Sequence, residues 1–189
     1  MTQTAQHEAG SSAALFRSAA GAAAGIAILF LLHLTTRHSY LLFHSLAEGF
    51  CIAISVGIFM FAWNSRRLME NDYLLFLGIA SLFIGFLDGL HTMAYKGMGV
   101  FGGQDANLPT QLWILTRSVH AVSFLVAPVF LKKVLRPSAA VGPLLLVTVL
   151  SLLSIFVWDV FPDSYIEGLG LTPFKIYSEY AIILVFLAS

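Results

Sequence analysis

The residues best able to do chemistry are ionisable side chains that stand inside long apolar runs of the sequence. A charge is costly in such a run, so these residues commonly mark a ligand, ion or proton site. The candidate ligand-binding residues are His44, Glu48, Asp88, His91, Trp113, Arg117, His120 and Glu179. The tryptophan is included because its spacing places it on the same helix face as the arginine.

The spacing predicts that these residues share one side of each helix. The intervals are three or four residues, as in His44 with Glu48, Asp88 with His91, and Trp113 with Arg117 and His120. Because a helix turns once in 3.6 residues, each set forms one stripe. Counted at about 1.5 Å per residue, all of them lie roughly 5–15 Å below the outer helix ends. We therefore expect one polar chamber that opens to the outside.

Three uses of this chamber stay open. Neutral imidazoles on facing helices bind haem or a transition metal, which would make His44, His91 and His120 ligands of haem b or copper. Three carboxylates against Arg117 would leave a charge of minus two, which a bound cation, protonated histidines or neutral carboxyl groups would have to offset. Alternatively, the charges pair with one another, Asp88 with Arg117, and only fix the helix register.

The composition shows what surrounds these residues. Of the 189 residues, 58% are hydrophobic and 11% are charged, with ten basic and ten acidic side chains. A soluble domain carries about 25% charged residues, so this is an integral membrane protein. A zero net charge excludes a nucleic-acid partner, and the single cysteine excludes an internal disulfide.

Apolar runs long enough to cross a bilayer recur six times. A hydrocarbon core of about 30 Å needs about 20 helical residues, and in lipid only helices satisfy the backbone within one segment. We place the runs near 17–36, 41–63, 73–95, 110–131, 140–160 and 173–189. The predicted fold is all-α, a polytopic transmembrane helix bundle of about six spans. Residues 1–16 are expected to be a mobile tail, and the domain at 17–189 is expected to continue beyond Ser189.

The basic residues predict the orientation, because lysine and arginine near span ends stay in the cytoplasm. A cytoplasmic N-terminus puts six basic residues inside and three outside. The inner set is Arg17, Arg66, Arg67, Lys132, Lys133 and Arg136, and the outer set is Arg37, Lys96 and Lys175.

Several separated motifs carry a resemblance to a known family. The segments include Phe43–Glu48, Ala62–Arg67, Leu87–Thr92, Tyr95–Phe101, Ala106–Trp113 and Leu171–Tyr180. Together they resemble the third membrane-associated sensor domain family (MASE type 3). The resemblance implies a multi-pass input module of the bacterial inner membrane, fused to a cytoplasmic histidine kinase or diguanylate cyclase. The parent protein would then be an enzyme, but this part would carry no catalytic residues.

We therefore predict a signal-input domain that detects a small ligand, metal or redox change from the outer side and passes it to an output domain. We expect it to act as a homodimer in the lipid bilayer. The alternative functions are a haem- or quinone-binding electron-transfer protein, and a proton or solute transporter. The transporter is less favoured because the sequence shows no inverted repeat.

Overall fold

A computed structural model describes residues 2–102 and 105–189, with side chains from residue 18 onward. The predicted all-α fold is confirmed, apart from one two-stranded hairpin. The helices are α1 (Thr2–His38), α2 (Tyr40–Ser65), α3 (Tyr73–Ala94), α4 (Asn107–Val126), α5 (Pro137–Phe156) and α6 (Pro173–Ala188). A short 3-10 helix at Ala127–Leu131 follows α4, and the strands β1 (Tyr165–Ile166) and β2 (Gly170–Leu171) pair antiparallel.

Five segments are long and apolar enough to cross a membrane. They are Ser18–His38, Tyr40–Ser65, Tyr73–Ala94, Asn107–Leu131 and Pro137–Phe156. The α6 helix has 16 residues, which gives a length of about 24 Å and falls short of a hydrocarbon core of about 30 Å. Five of the six predicted spans thus correspond to candidate membrane-spanning helices, and the exact number of crossings stays a prediction.

The described chain forms two compact units, Met1–Ala47 and Glu48–Ser189, and α2 contributes to both. In the first unit α1 begins at Thr2, so its helical backbone includes residues that we assigned to a tail. The assignment of 1–16 and 17–189 to separate regions stays a prediction. A single residue, Ser39, separates α1 from α2, and its hydroxyl accepts a hydrogen bond from the Leu42 N–H at 3.3 Å, which caps α2.

The core of the second unit lies between α3, α4 and α5. Leu87 and Leu112 are fully buried at its centre. A second apolar cluster surrounds Phe76, whose ring stacks on Phe130 of the 3-10 helix at 4.8 Å. Asp72 joins the same region, because its carboxylate accepts a hydrogen bond from the Leu135 N–H at 2.7 Å. These contacts fix the turn that leads into α5.

Two glycines on α3 allow a close approach to the second half of α2. A Cβ atom built on Gly78 would lie 2.4 Å from the Cβ of Ala62, and one on Gly85 would lie 3.0 Å from the Cβ of Ser55. Small residues let membrane helices pack with their backbones in contact. This packing brings the segment of α2 after Glu48 against α3.

The hairpin is held to the start of α4 by one side chain. The amide oxygen of Asn107 accepts hydrogen bonds from the N–H groups of Ser164 at 2.8 Å and Tyr165 at 3.1 Å. Its amide nitrogen donates to the Asp163 carboxylate at 2.7 Å. Beyond the hairpin, the Thr172 hydroxyl accepts from the Lys175 N–H at 3.3 Å and caps α6. The starts of α4 and α6 are thereby fixed at the same end of the bundle, which we call the hairpin end.

The close approach of α2 and α3 predicts the effect of one methyl group. Replacing Gly78 with alanine should destabilise the protein by about 1–3 kcal/mol, because overpacking forces the two helices apart. The matched control is Gly57→Ala on α2, whose added Cβ meets nothing within 4 Å. The measurement is the free energy of unfolding in lipid nanodiscs. Equal stability of the two variants would contradict this packing.

Candidate functional site

The centre of the candidate site is an ion pair between α3 and α4. Asp88 is 2% exposed, and its Oδ1 atom lies 3.6 Å from the guanidinium of Arg117. This oxygen forms no hydrogen bond within the part of the chain that the structure describes. The two charges therefore attract each other across a gap slightly longer than a hydrogen bond, which makes the contact a loose one.

A second carboxylate reaches the same place from α2. The negative charge of Glu48 acts on Asp88, so the two carboxylates repel each other, whereas Arg117 attracts Asp88. The Oε2 atom of Glu48 is buried, and no described residue donates a hydrogen bond to it. Cys51, one turn further along α2, interacts with the charges of all three residues. These interactions bring three of the predicted stripes together.

Trp113 connects this ion pair to α6. Its ring lies 5.9 Å from the Arg117 guanidinium carbon and 3.6 Å from the Lys175 ammonium nitrogen. Both are cation–π contacts, in which a positive charge faces the electron-rich side of the indole. The Lys175 ammonium also forms a 2.5 Å hydrogen-bonded ion pair with Glu179. The two cations thus contact one aromatic ring from two different helices.

Lys175 is the residue that sequence reasoning missed. Its position near the start of the sixth run suggested a basic residue at the outer membrane surface, but it is only 6% exposed. Thr172 and Pro173 begin α6 so early that the first turn places the lysine over Trp113. The available signal was the interval of four residues between Lys175 and Glu179, which suits an ion pair on one helix face.

We call Glu48, Asp88, Trp113, Arg117, Lys175 and Glu179 the polar cluster. Its ionic contacts run from α2 through α3 and α4 to α6. With Lys175 included, three carboxylates face two cations, so the formal charge is minus one rather than the minus two expected from the sequence. Asp88 and Glu179 each have a basic partner, and the remaining charge belongs to Glu48.

The histidines differ in their surroundings. His91 is 5% exposed, and its Nδ1 atom lies 2.8 Å from the carbonyl oxygen of Pro109. Because a carbonyl can only accept, Nδ1 carries a proton, and in the neutral ring Nε2 is then the basic nitrogen. A backbone carbonyl commonly fixes metal-ligating histidines in this way.

His120 and His44 both contact aromatic rings. The His120 ring packs edge-on against Phe124 at 5.1 Å and Phe186 at 5.3 Å, and Arg117 acts on it electrostatically. No group of three or more ligand atoms among the described residues includes His120. His44 belongs to the first unit, where its ring stacks on Tyr40 at 6.4 Å. The metal-ligand roles of all three histidines stay predictions.

A bundle of long apolar helices with ionised side chains in its interior defines a polytopic membrane protein with a buried polar site. A family model described as a membrane-associated sensor domain, MASE3, matches residues 35–189. This match covers most of the chain, which therefore belongs to the MASE3 family, as its motifs predicted. The whole polar cluster lies within the matched residues. No curated protein and no solved structure matches the chain.

The interactions of Asp88 predict how the site responds to loss of the Arg117 guanidinium. Replacing Arg117 with methionine leaves the buried carboxylate beside Glu48 without compensation. Breaking a buried pair costs about 3–5 kcal/mol, and we expect the lower end because the Arg117 side chain is 25% exposed. Adding Glu48→Gln removes the repulsion and should restore part of the unfolding free energy measured in nanodiscs.

The control for this rescue is Glu70→Gln in the same Arg117→Met background, because Glu70 is exposed. This variant should restore none of the lost unfolding free energy. If both glutamine variants restored stability equally, or if Arg117→Met cost nothing, the electrostatic connection between Glu48 and the ion pair would be wrong.

Proposed function

We propose that this chain is the signal-input domain of a bacterial inner-membrane receptor, and that its polar cluster detects a cationic ligand or metal ion. The observation that carries the proposal is Glu48, a carboxylate with a buried oxygen that no described residue satisfies. Glu48 as a whole is half-buried, but withdrawing one carboxylate oxygen from water without a hydrogen-bond donor is costly, and a bound cation would offset that cost. The membership of the MASE3 family supports a sensor role.

The contacts of the cluster suggest how binding is passed on. A cation at Glu48 would weaken the repulsion on Asp88 and change its attraction to Arg117, the loosest ion pair of the cluster. Arg117 and Lys175 both contact Trp113, so a movement of α4 would alter the contacts of α6. Two packings with different ligand affinities are all that such a sensor requires.

The rest of the proposal concerns the partners. We propose that the N-terminus is cytoplasmic, because six of nine basic residues near the helix ends would then be inside. The output would be a cytoplasmic histidine kinase or diguanylate cyclase on the same chain, and two copies would form a homodimer. In this arrangement the ligand reaches the cluster from the outer side of the membrane.

Glu48 provides the direct test of cation detection. The probes are Cu⁺ and Zn²⁺ added to the chain in nanodiscs, with Trp113 left as the sole tryptophan by Trp63→Phe and Trp158→Phe. We expect an ion-dependent change in Trp113 fluorescence, and at least tenfold weaker binding after Glu48→Gln because the charge that attracts the ion is lost. In the full-length protein, the same substitution should make kinase or cyclase activity insensitive to the ion.

The matched control is again Glu70→Gln, which should bind and respond like the unmodified chain. Fluorescence that changes equally in both variants would show that the ions act elsewhere. An absence of any response to metal ions or to tetramethylammonium, a compact organic cation, would refute cation detection at Glu48.

A second candidate function is haem binding with electron transfer, and the hydrogen bond of His91 favours it. The Pro109 carbonyl holds the ring so that Nε2 is the basic nitrogen, as a haem ligand requires. The chain purified from cells supplied with haem should then show a Soret absorption band that His91→Ala abolishes and His38→Ala, at an exposed position, retains. A colourless protein with no iron by elemental analysis would exclude haem.

A further inference from the structure

A large apolar cavity lies beside α4 and α5 in the second unit, and the polar cluster does not use it. Its volume is about 780 Å³, which is within the range of about 300–1,000 Å³ typical of small-molecule sites. Side chains from α4, α5 and α6 line most of it, and Phe76 of α3 and Phe130 of the 3-10 helix complete the lining.

The cavity is long. Its lining on α4 extends from Ile114 to Val126, twelve residues along one helix, which corresponds to roughly 18 Å. The helices on its other side follow the same direction, since Ala139 and Ser151 near the two ends of α5 both belong to the lining. An elongated molecule, such as one with a long hydrocarbon chain, fits this shape.

The two ends of the cavity differ in polarity. Toward the hairpin end the lining includes the hydroxyl groups of Ser118, Ser151 and Ser178. Toward the opposite end it consists mainly of apolar side chains such as Phe130 and Ala139, and the one hydroxyl there, on Ser123, already donates to the Val119 carbonyl oxygen at 2.7 Å. No charged side chain belongs to the lining, so a phosphate or carboxylate there would be buried without a counter-charge.

The cavity is also open to the side of the bundle. Val122 on α4 and Val147 on α5 line it, yet they are 55% and 49% exposed. Both helices are candidate membrane spans, so this opening would face hydrocarbon rather than water. An unfilled apolar volume forfeits packing contacts, and the molecules able to enter from hydrocarbon are membrane amphiphiles.

We propose that this cavity binds a neutral amphiphile with one long apolar chain and an uncharged hydrogen-bonding head group. The head lies near Ser118 and Ser178, where hydroxyl groups can donate to a carbonyl or hydroxyl oxygen. The chain extends along α4 toward Phe130. A prenylated quinone and a long-chain alcohol or ester share this chemistry.

The position of α4 gives such a ligand a route to the polar cluster. Ser118 and Val122 face the cavity, whereas Trp113 and Arg117 of the same helix contact Lys175 and Asp88. A ligand that separates α4 from α5 would therefore also move Arg117 relative to Asp88. Binding itself does not depend on the function proposed for the cluster.

The test uses the whole chain in nanodiscs of a single synthetic phosphatidylcholine. The probes are dodecanol, decylubiquinone, dodecane and dodecanoate, and the readout is the shift of thermal unfolding with the mole fraction of each probe in the bilayer. We expect dodecanol or decylubiquinone to bind at least tenfold more tightly than dodecane and dodecanoate. Binding of only one of the two supports the proposal and identifies the head group.

Two valines on α5 form a matched pair for this test. Val147→Phe fills the cavity and should weaken binding at least tenfold, whereas Val149→Phe adds the same bulk at a position that is 44% exposed and outside the lining. The double variant Ser118→Ala with Ser178→Ala should weaken the binding of dodecanol and decylubiquinone several-fold and leave the binding of dodecane unchanged. If Val147→Phe fails to fold, this double serine variant provides the test instead. The proposal is overturned if dodecane binds as well as dodecanol, if dodecanoate binds as well as both, or if the two valine variants behave alike.

Discussion

The cost of placing charge inside an apolar bundle is the constraint on which this structure depends. Asp88 and Lys175 have given up almost all of their contact with water, and protein charges or a ligand must replace that solvation. Lys175 and Glu179 meet this requirement with a short ion pair, whereas Asp88 and Arg117 remain 3.6 Å apart. Glu48 has no basic partner among the described residues of its unit. The cluster therefore combines one tight contact, one loose contact and one uncompensated charge, an arrangement in which a small electrostatic change can alter the packing of the helices.

The helix packing that supports this arrangement relies on small side chains. Gly78 and Gly85 bring α3 against the second half of α2, which places the Glu48 carboxylate within electrostatic reach of Asp88. The fully buried Leu87 and Leu112 hold α3 and α4 together on the opposite side of the same layer. Apolar contacts thus position the charges of Glu48, Asp88 and Arg117 close to one another.

Helical periodicity and the scarcity of charge were enough to predict the all-α fold and the five candidate spans, and the pairing of Asp88 with Arg117 was one of the alternatives they left open. These features repeat every three or four residues, so they are visible in a local stretch of sequence. The burial of Lys175 was not predictable in the same way, because it depends on where Pro173 begins α6 and on Trp113, which is 62 positions earlier in the chain. The hydrogen bonds of Asn107 were missed for a similar reason, since its partners Asp163, Ser164 and Tyr165 follow it by more than fifty residues.

The hydrogen bonds of Asn107 have a mechanical consequence. Asn107 stands at the first residue of α4 and holds the segment that leads through the hairpin to the first turn of α6. The two helices are thus held together at one end by Asn107, and side-chain contacts such as that of Lys175 with Trp113 join them further along. Rotation about a fixed pivot produces displacements that grow with distance from it, so a tilt too small to disturb the Asn107 hydrogen bonds becomes a larger excursion at the far ends of α4 and α6. A local adjustment near Trp113 would therefore be largest at the ends of α4 and α6 that lie farthest from Asn107.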